Sequence, residues 1–315
     1  MKILIGYDGS DCSEAALDDL QKAGLPPVAD ALIMSVTEVW LPSPSSTDDI
    51  VEQAMEIEVP ADMKRVYAKA SIAVKEAEAM AGKARDRLRG AFPRWQIDIE
   101  ASSGSPAWEL VAKADEWEPD LIVVGSHGHS GIKRLVLGSV SQRVVTEARG
   151  SVRVARGRVE EHDNPVRNVI GIDGSPGSEI AVREVASRFW PAGSEVRLIA
   201  VMDPLTPTLL GRLIPPVSAT IEDSNQADRE WVEKILAEAA AILKGTPVAV
   251  STRASEGDPK RALVEAAEAW GADCIFVGST GFSNRLERFV LGSTSAAVVA
   301  RAHCSVEVVR KPKQA

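Results

Sequence analysis

Cysteine is scarce in this chain. There are three, Cys12, Cys274 and Cys304, too few and too scattered for a disulfide framework or a sulfur-held metal cluster, so they read as free thiols in a reducing compartment. Aromatic residues make up only 4% of the sequence. The seven tryptophans read as packing between helices and sheet, and none makes an evident stacking platform. Basic excess is missing too: 36 Lys and Arg face 45 Asp and Glu, a net charge of −9, which argues against a nucleic-acid partner because phosphate backbones need a basic face. No run is apolar enough to span a bilayer. The opening Met1-Lys-Ile-Leu-Ile-Gly-Tyr-Asp8 brings in an acidic side chain too soon for a signal peptide, and a cytoplasmic location is the expectation.

Several catalytic patterns are also lacking. The P-loop is absent, and so is a Gly-x-Gly-x-x-Gly turn after the first strand. His127 and His129 have no carboxylates nearby at ligand spacing, and Thr280 and Phe282 replace them in a second copy of the loop. No nucleophile stands with a base and an orienting acid. The expectation is therefore no catalytic residue and no metal site, with slow ATP hydrolysis, Mg²⁺ bridging the phosphates, left open.

What the chain has is a repeat. Leu121-Ile-Val-Val-Gly125-Ser-His-Gly128, nine residues, then Gly138-Ser-Val-Ser141 reappears as Cys274-Ile-Phe-Val-Gly278-Ser-Thr-Gly281, ten residues, then Gly292-Ser-Thr-Ser295. The likeness extends further: Tyr7-Asp8-Gly-Ser10 matches Ile172-Asp173-Gly-Ser175, and Ser151-Val-Arg-Val-Ala-Arg156 matches Ser305-Val-Glu-Val-Val-Arg310. At 315 residues the length suits two domains. The boundaries expected are 1–156 and 167–311, with the polar run Glu160-Glu-His-Asp-Asn-Pro165 inside a 157–166 linker.

Each half reads as five strands alternating with helices, which predicts a parallel sheet covered on both faces. The strands are expected near 2–7, 30–37, 95–101, 120–125 and 151–156, and near 167–172, 195–202, 247–254, 273–278 and 305–310. A long helical region runs from Asp49 to about Phe92, interrupted at Pro60, and its counterpart from about Ala219 to Lys244. Pro-rich stretches precede both, Trp40 to Ser46 and Asp203 through Pro216, and read as surface loops or lids.

In an open doubly wound sheet, ligands sit beyond the carboxyl ends of the strands where the strand order reverses. Asp8 ends the first strand and Gly125 the fourth, so their loops are expected to face each other across a crevice, as are those of Asp173 and Gly278. A carboxylate there can accept from an adenine amino group or a ribose hydroxyl. Glycines at 125, 128 and 138 let backbone amides approach phosphate oxygens. Gly138-Ser139-Val140-Ser141 starts a helix whose unpaired amides favour an anion, with Ser139 and Ser141 as added hydroxyl donors. Taken singly, Asp-Gly-Ser is more often a helix cap and Gly-x-x-Gly only a turn. Their joint repetition favours a nucleotide cradle.

These motifs resemble the universal stress protein family over nearly the whole chain, as two tandem domains. The resemblance implies flavodoxin-like, Rossmann-like α/β domains with five-stranded sheets in the order 3-2-1-4-5. It also implies ATP or another adenine nucleotide as ligand and pairing of domains through their last strands. The implied adenine and ribose contacts are Asp8 and the backbone of Val36, with Gly125, His127 and Gly128 lining the turn; the implied phosphate contacts are Gly138, Ser139, Val140 and Ser141. The second-half positions are Asp173, Val201, Gly278, Thr280, Gly281, Gly292, Ser293, Thr294 and Ser295. There the ten-residue spacing departs from the family's nine, so the first domain is expected to bind at least as tightly as the second.

The leading reading is an ATP-binding stress or signalling module, an intramolecular domain pair that two chains can extend to a homodimer. The alternatives are a slow ATP hydrolase and a nucleotide-free scaffold whose Pro-rich loops recruit a protein partner. A flavodoxin-like electron carrier is disfavoured, since neither of the two tyrosines sits beside an obvious flavin pocket.

Overall fold

The computed structural model describes residues 1–38, 61–127, 137–156, 165–204, 215–279 and 291–311. In the first half β1 (Lys2–Gly6), β2 (Asp30–Thr37), β3 (Gln96–Ser103), β4 (Leu121–Gly125) and β5 (Ser151–Ala155) alternate with α1 (Asp11–Asp19), α2 (Ala61–Ala91), α3 (Pro106–Trp117) and α4 (Ser139–Glu147). In the second half β6 (Arg167–Ile172), β7 (Glu195–Met202), β8 (Ala249–Glu256), β9 (Cys274–Gly278) and β10 (Ser305–Val309) alternate with α5 (Pro176–Ala186), α6 (Pro215–Ile242), α7 (Pro259–Trp270) and α8 (Ser293–Arg301).

Local chemistry accounts for the helix ends. The Ser10 hydroxyl accepts from the Ser13 amide at 3.3 Å and caps α1, and Ser175 does the same for α5 through Ser178 at 3.2 Å. Proline occupies the first turn of α3, α5 and α7, where its missing N–H costs nothing. The same property moves the start of α6 earlier than hydrophobic patterning suggested: the chain turns helical at Pro215, inside the stretch expected to be loop. The remaining Pro-rich positions, 40–46 and 205–214, lie outside the described residues, as do 157–164 of the expected linker.

All ten strands form one sheet in the order β3-β2-β1-β4-β5-β10-β9-β6-β7-β8. Within each half the strands are parallel and follow the order 3-2-1-4-5. The halves join antiparallel, β5 to β10, with Val154 opposite Val306, Arg153 opposite Glu307 and Val152 opposite Val308. The chain is thus an intramolecular pair of doubly wound domains joined through their last strands.

Alternation along those two strands divides the core. Val152, Val154, Val306 and Val308 point to one face, where α3, α4, α7 and α8 cover a single apolar core running unbroken across the junction. On the opposite face each half keeps its own core, under α1 and α2 or under α5 and α6. Between those two cores lies a buried ionic cluster. Arg153 donates from Nε to Asp19 Oδ2 at 2.5 Å and from Nη1 to Glu307 Oε2 at 3.2 Å, and Arg188 donates to both oxygens of Glu307. Ser305 Oγ donates to the other Asp19 oxygen at 2.7 Å.

Candidate functional site

The reversal of strand order between β1 and β4 opens a cavity of about 540 Å³ at their carboxyl ends. Eight of the first-half candidates line it: Asp8, Val36, Gly125, His127, Gly138, Ser139, Val140 and Ser141. Gly128 lies outside the described residues. The opposite wall comes from α2, through Ala73, Glu76, Ala77 and Met80, positions that the sequence motifs did not single out.

The loop after β1 is locked by its own side chains. Asp8 Oδ1 accepts from the amide and the hydroxyl of Ser10, at 3.0 and 2.6 Å, so it orders the residue that caps α1. Gly9 follows at φ +74, a conformation glycine supplies without strain. Tyr7 donates its hydroxyl to Glu14, and burial, then that hydrogen bond, hold its phenol well above the usual range. Arg87 of α2 bonds Glu14 and both oxygens of Asp18, the latter at 2.7 and 2.8 Å. This strap fixes α2 against α1 and so sets the cavity's far wall.

The turn after β4 is held differently from the sequence expectation. A Cβ on Gly125 would lie 2.8 Å from the backbone carbon and oxygen of Cys12, and one on Gly278 2.5 Å from that of Gly177. The close approach of α1 or α5 to the strand end is enough by itself to require glycine at these positions. Ser141 Oγ donates to the Gly125 carbonyl at 2.6 Å, and Ser295 repeats the bond to Gly278 at 2.6 Å. Their hydroxyl protons are committed to the turn, which leaves Ser139 as the hydroxyl donor of the first-half cradle.

Two groups of the site lack a matched partner among the described residues. Among the described residues no side chain caps the start of α4, where Gly138 is extended at φ −65, ψ 152; the first amides of a helix have no partner within it and carry its positive dipole end. His127 Nδ1 lies 3.1 Å from Ser126 Oγ, while its buried Nε2 has no hydrogen-bond partner among the described residues. Burial, then the charge of Arg156, lowers the imidazole below its ordinary value, so it is neutral near pH 7. Among the described residues lining the cavity none is Lys or Arg, and Lys133 and Arg134 fall outside them.

The second half repeats the anchors. Asp173 Oδ1 accepts from the Ser175 amide and hydroxyl at 3.0 and 2.5 Å, and the Gly292 amide donates to Ser279 O at 2.7 Å as that of Gly138 does to Ser126 O at 2.8 Å. Val201 is the last residue but one of β7 as Val36 is of β2, and Ser293 and Thr294 open α8 as Ser139 and Val140 open α4. Thr280 and Gly281 lie outside the described residues. The same bonds thus flank the glycine loop in both halves despite the extra residue in the second.

This paired architecture agrees with a family model: that of the universal stress protein family matches residues 1–156 and 167–310. The chain belongs to the universal stress protein family. A universal stress protein of Mycolicibacterium smegmatis is 30% identical over 191 residues, which are 60% of this chain and 61% of that protein, so the match spans less than two thirds of that relative. One from Methanocaldococcus jannaschii is 34% identical over 146 residues, 46% of this chain and 82% of the relative. A crystal structure of a universal stress protein from Archaeoglobus fulgidus has the same fold, with a TM-score of 0.57 at 22% identity and 98% of both chains covered. Among the described residues of this universal stress protein, no helix is long and apolar enough to cross a membrane.

Proposed function

We propose that this universal stress protein binds an adenine nucleotide, ATP, in the first-half cavity and acts as a cytoplasmic, nucleotide-dependent stress or signalling module. The observation that carries the reading is one cavity of about 540 Å³ lined by Asp8, His127 and the first residues of α4. That size falls within the usual range of small-molecule sites. Its chemistry is graded: a carboxylate and apolar walls at one end, and amide donors with a helix dipole at the other.

In this reading Asp8 and the Val36 backbone hold the adenosine, and His127 Nε2 gives a neutral hydrogen-bonding group. The amides of Ser139, Val140 and Ser141, with the Ser139 hydroxyl, hold the phosphates. The repeated anchors at Asp173, Gly278 and Gly292 extend the reading to the second half. Mg²⁺ would bridge phosphate oxygens, since it binds through phosphates and water more readily than through an all-protein cage.

Mass analysis of small molecules released from gently purified protein, paired with thermal shift, tests the proposal. Adenine nucleotide in the released fraction and a melting temperature raised by ATP are expected; at a hundredfold excess over Kd the gain is about 2.7 kcal/mol. No released nucleotide together with no shift in millimolar ATP would count against it and favour an empty scaffold.

A further inference from the structure

The two halves differ over the turn that follows their paired aspartates. Gly9 and Gly174 follow the paired aspartates, both at positive φ, +74 and +72. Over Gly9 lies the thioether of Met80, and over Gly174 lies the indole of Trp231, whose Cζ2 would be 2.8 Å from a Cβ there. Met80 and Trp231 are therefore equivalent positions on α2 and α6, and Met80 lines the first cavity. Spacing along the helix agrees: Ala81, Ala84 and Leu88 are buried in the first half as Val232, Ile235 and Ala239 are in the second.

The indole is not spent on the core. Trp231 is 45% exposed, whereas Trp95 and Trp190 are 5% and 7% exposed. The ring lies over the Gly174 backbone, so a large, half-exposed planar surface stands next to Asp173. Its neighbours differ as well, Ala227 and Asp228 taking the places of Glu76 and Ala77. A ring that simply filled the second cleft would be buried; a ring braced on one side and wet on the other offers a face to another planar group.

We propose that Trp231 is the base-stacking surface of a second-half nucleotide site, making recognition there depend on a planar purine, while the first site relies on its phosphate cradle and the flexible Met80. The inference rests on the nucleotide reading of the clefts and adds base selectivity to one of them. It also revises the sequence-based expectation that no tryptophan serves as a stacking platform.

Titration of the full chain with ATP, adenosine and inorganic tripolyphosphate, followed by tryptophan emission and by calorimetry, tests this. ATP and adenosine are expected to quench an emission component that is absent from Trp231→Phe, and tripolyphosphate is not. Calorimetry is expected to resolve two ATP sites per chain. Trp231→Ala weakens one of them about tenfold, in line with the usual worth of stacking a base on an aromatic ring, while Trp231→Phe stays within about threefold. Two sites of unchanged affinity in Trp231→Ala would overturn the proposal. So would a single site in the native chain that becomes two in Trp231→Met, since the ring would then be a plug; that outcome leaves the nucleotide reading standing. No ATP binding to any variant would overturn both.

Discussion

Arg153 and Glu307 face each other across the antiparallel seam of the sheet, both with no exposed side-chain surface, Nη1 3.2 Å from Oε2. By the internal repeat they are the same position in the two domains. Two copies of the first domain paired this way would bury Arg against Arg, and two of the second Glu against Glu. The seam is thus complementary only between unlike halves, with Asp19 pairing to Arg153, Arg188 to Glu307, and Glu184 to Arg188 at the cluster's edge.

Breaking that balance is expected to cost far more than a surface ion pair. Glu307→Gln removes the carboxylate that Arg153 and Arg188 share, leaving Arg153 to Asp19 and Arg188 to Glu184, and loss of one partner of a buried pair typically costs about 3–5 kcal/mol. Denaturant unfolding of the full chain measures it. The charge-swapped double variant Arg153→Glu with Glu307→Arg is expected to recover part of the loss; a double variant less stable than the sum of the singles would argue against pairwise complementarity.

Arg156 links the seam to the first cleft. It donates to the Ala302 and Val299 carbonyls at the end of α8, at 2.6 and 2.8 Å, and Arg310 crosses the other way to the Val145 carbonyl in the last turn of α4 and the Gly150 carbonyl beyond it. Arg156→Met is expected to destabilise the chain by about 1.5–3 kcal/mol, the usual worth of hydrogen bonds to a charged group. It is also expected to raise the His127 pKa, because its charge is the second cause of the depression. Burial, the larger cause, keeps the value below the ordinary one. Imidazole NMR titration reads the shift, and an unmoved His127 would show that the charge does not reach the cleft.

The same depression fixes a direction for pH. An imidazole lowered in the folded state leaves the unfolded chain to take up the proton first on acidification. The stability tied to His127 is therefore full above the unfolded value of about 6.5 and is lost as pH falls through it toward the folded value. His127→Gln is expected to flatten stability against pH in that window, as measured by denaturant midpoints; an equal slope in both proteins would contradict this.

Glycines of similar appearance are expected to respond oppositely to alanine. Gly125→Ala and Gly278→Ala place a methyl against backbone of the adjoining helix, and forced repacking of that kind costs about 1–3 kcal/mol. Gly82 lies within α2 with nothing within 4 Å of an added Cβ, so Gly82→Ala is expected to stabilise by about 0.5–1 kcal/mol. Melting curves of the three variants decide it.

Much of this was legible in the sequence because it is written locally. The buried run Leu121-Ile-Val-Val marks a central strand, and Asp-Gly-Ser after the first strand of each half marks the cleft, since strand, turn and cap all depend on near neighbours. What was not legible depends on partners distant in the chain. The reason for Gly125 lies in Cys12, and that for Arg153 in Asp19 and Glu307. The correspondence of Met80 with Trp231 was hidden because long helices with one buried stripe tolerate divergence everywhere except in volume and polarity. The paired turns at Gly9 and Gly174 reveal it, and the matching buried positions along the two helices agree.

Equilibrium binding of labelled ATP to the native chain and to Gly138→Val tests the central claim most directly. A Cβ at position 138 already meets Ser126 O at 3.2 Å and the His127 Cα at 3.3 Å, so valine displaces the start of α4 from the cavity. The account predicts saturable ATP binding to the native chain and loss of the first-half site in the folded variant. Native protein without saturable binding, or a variant that binds as the native chain does, would contradict it.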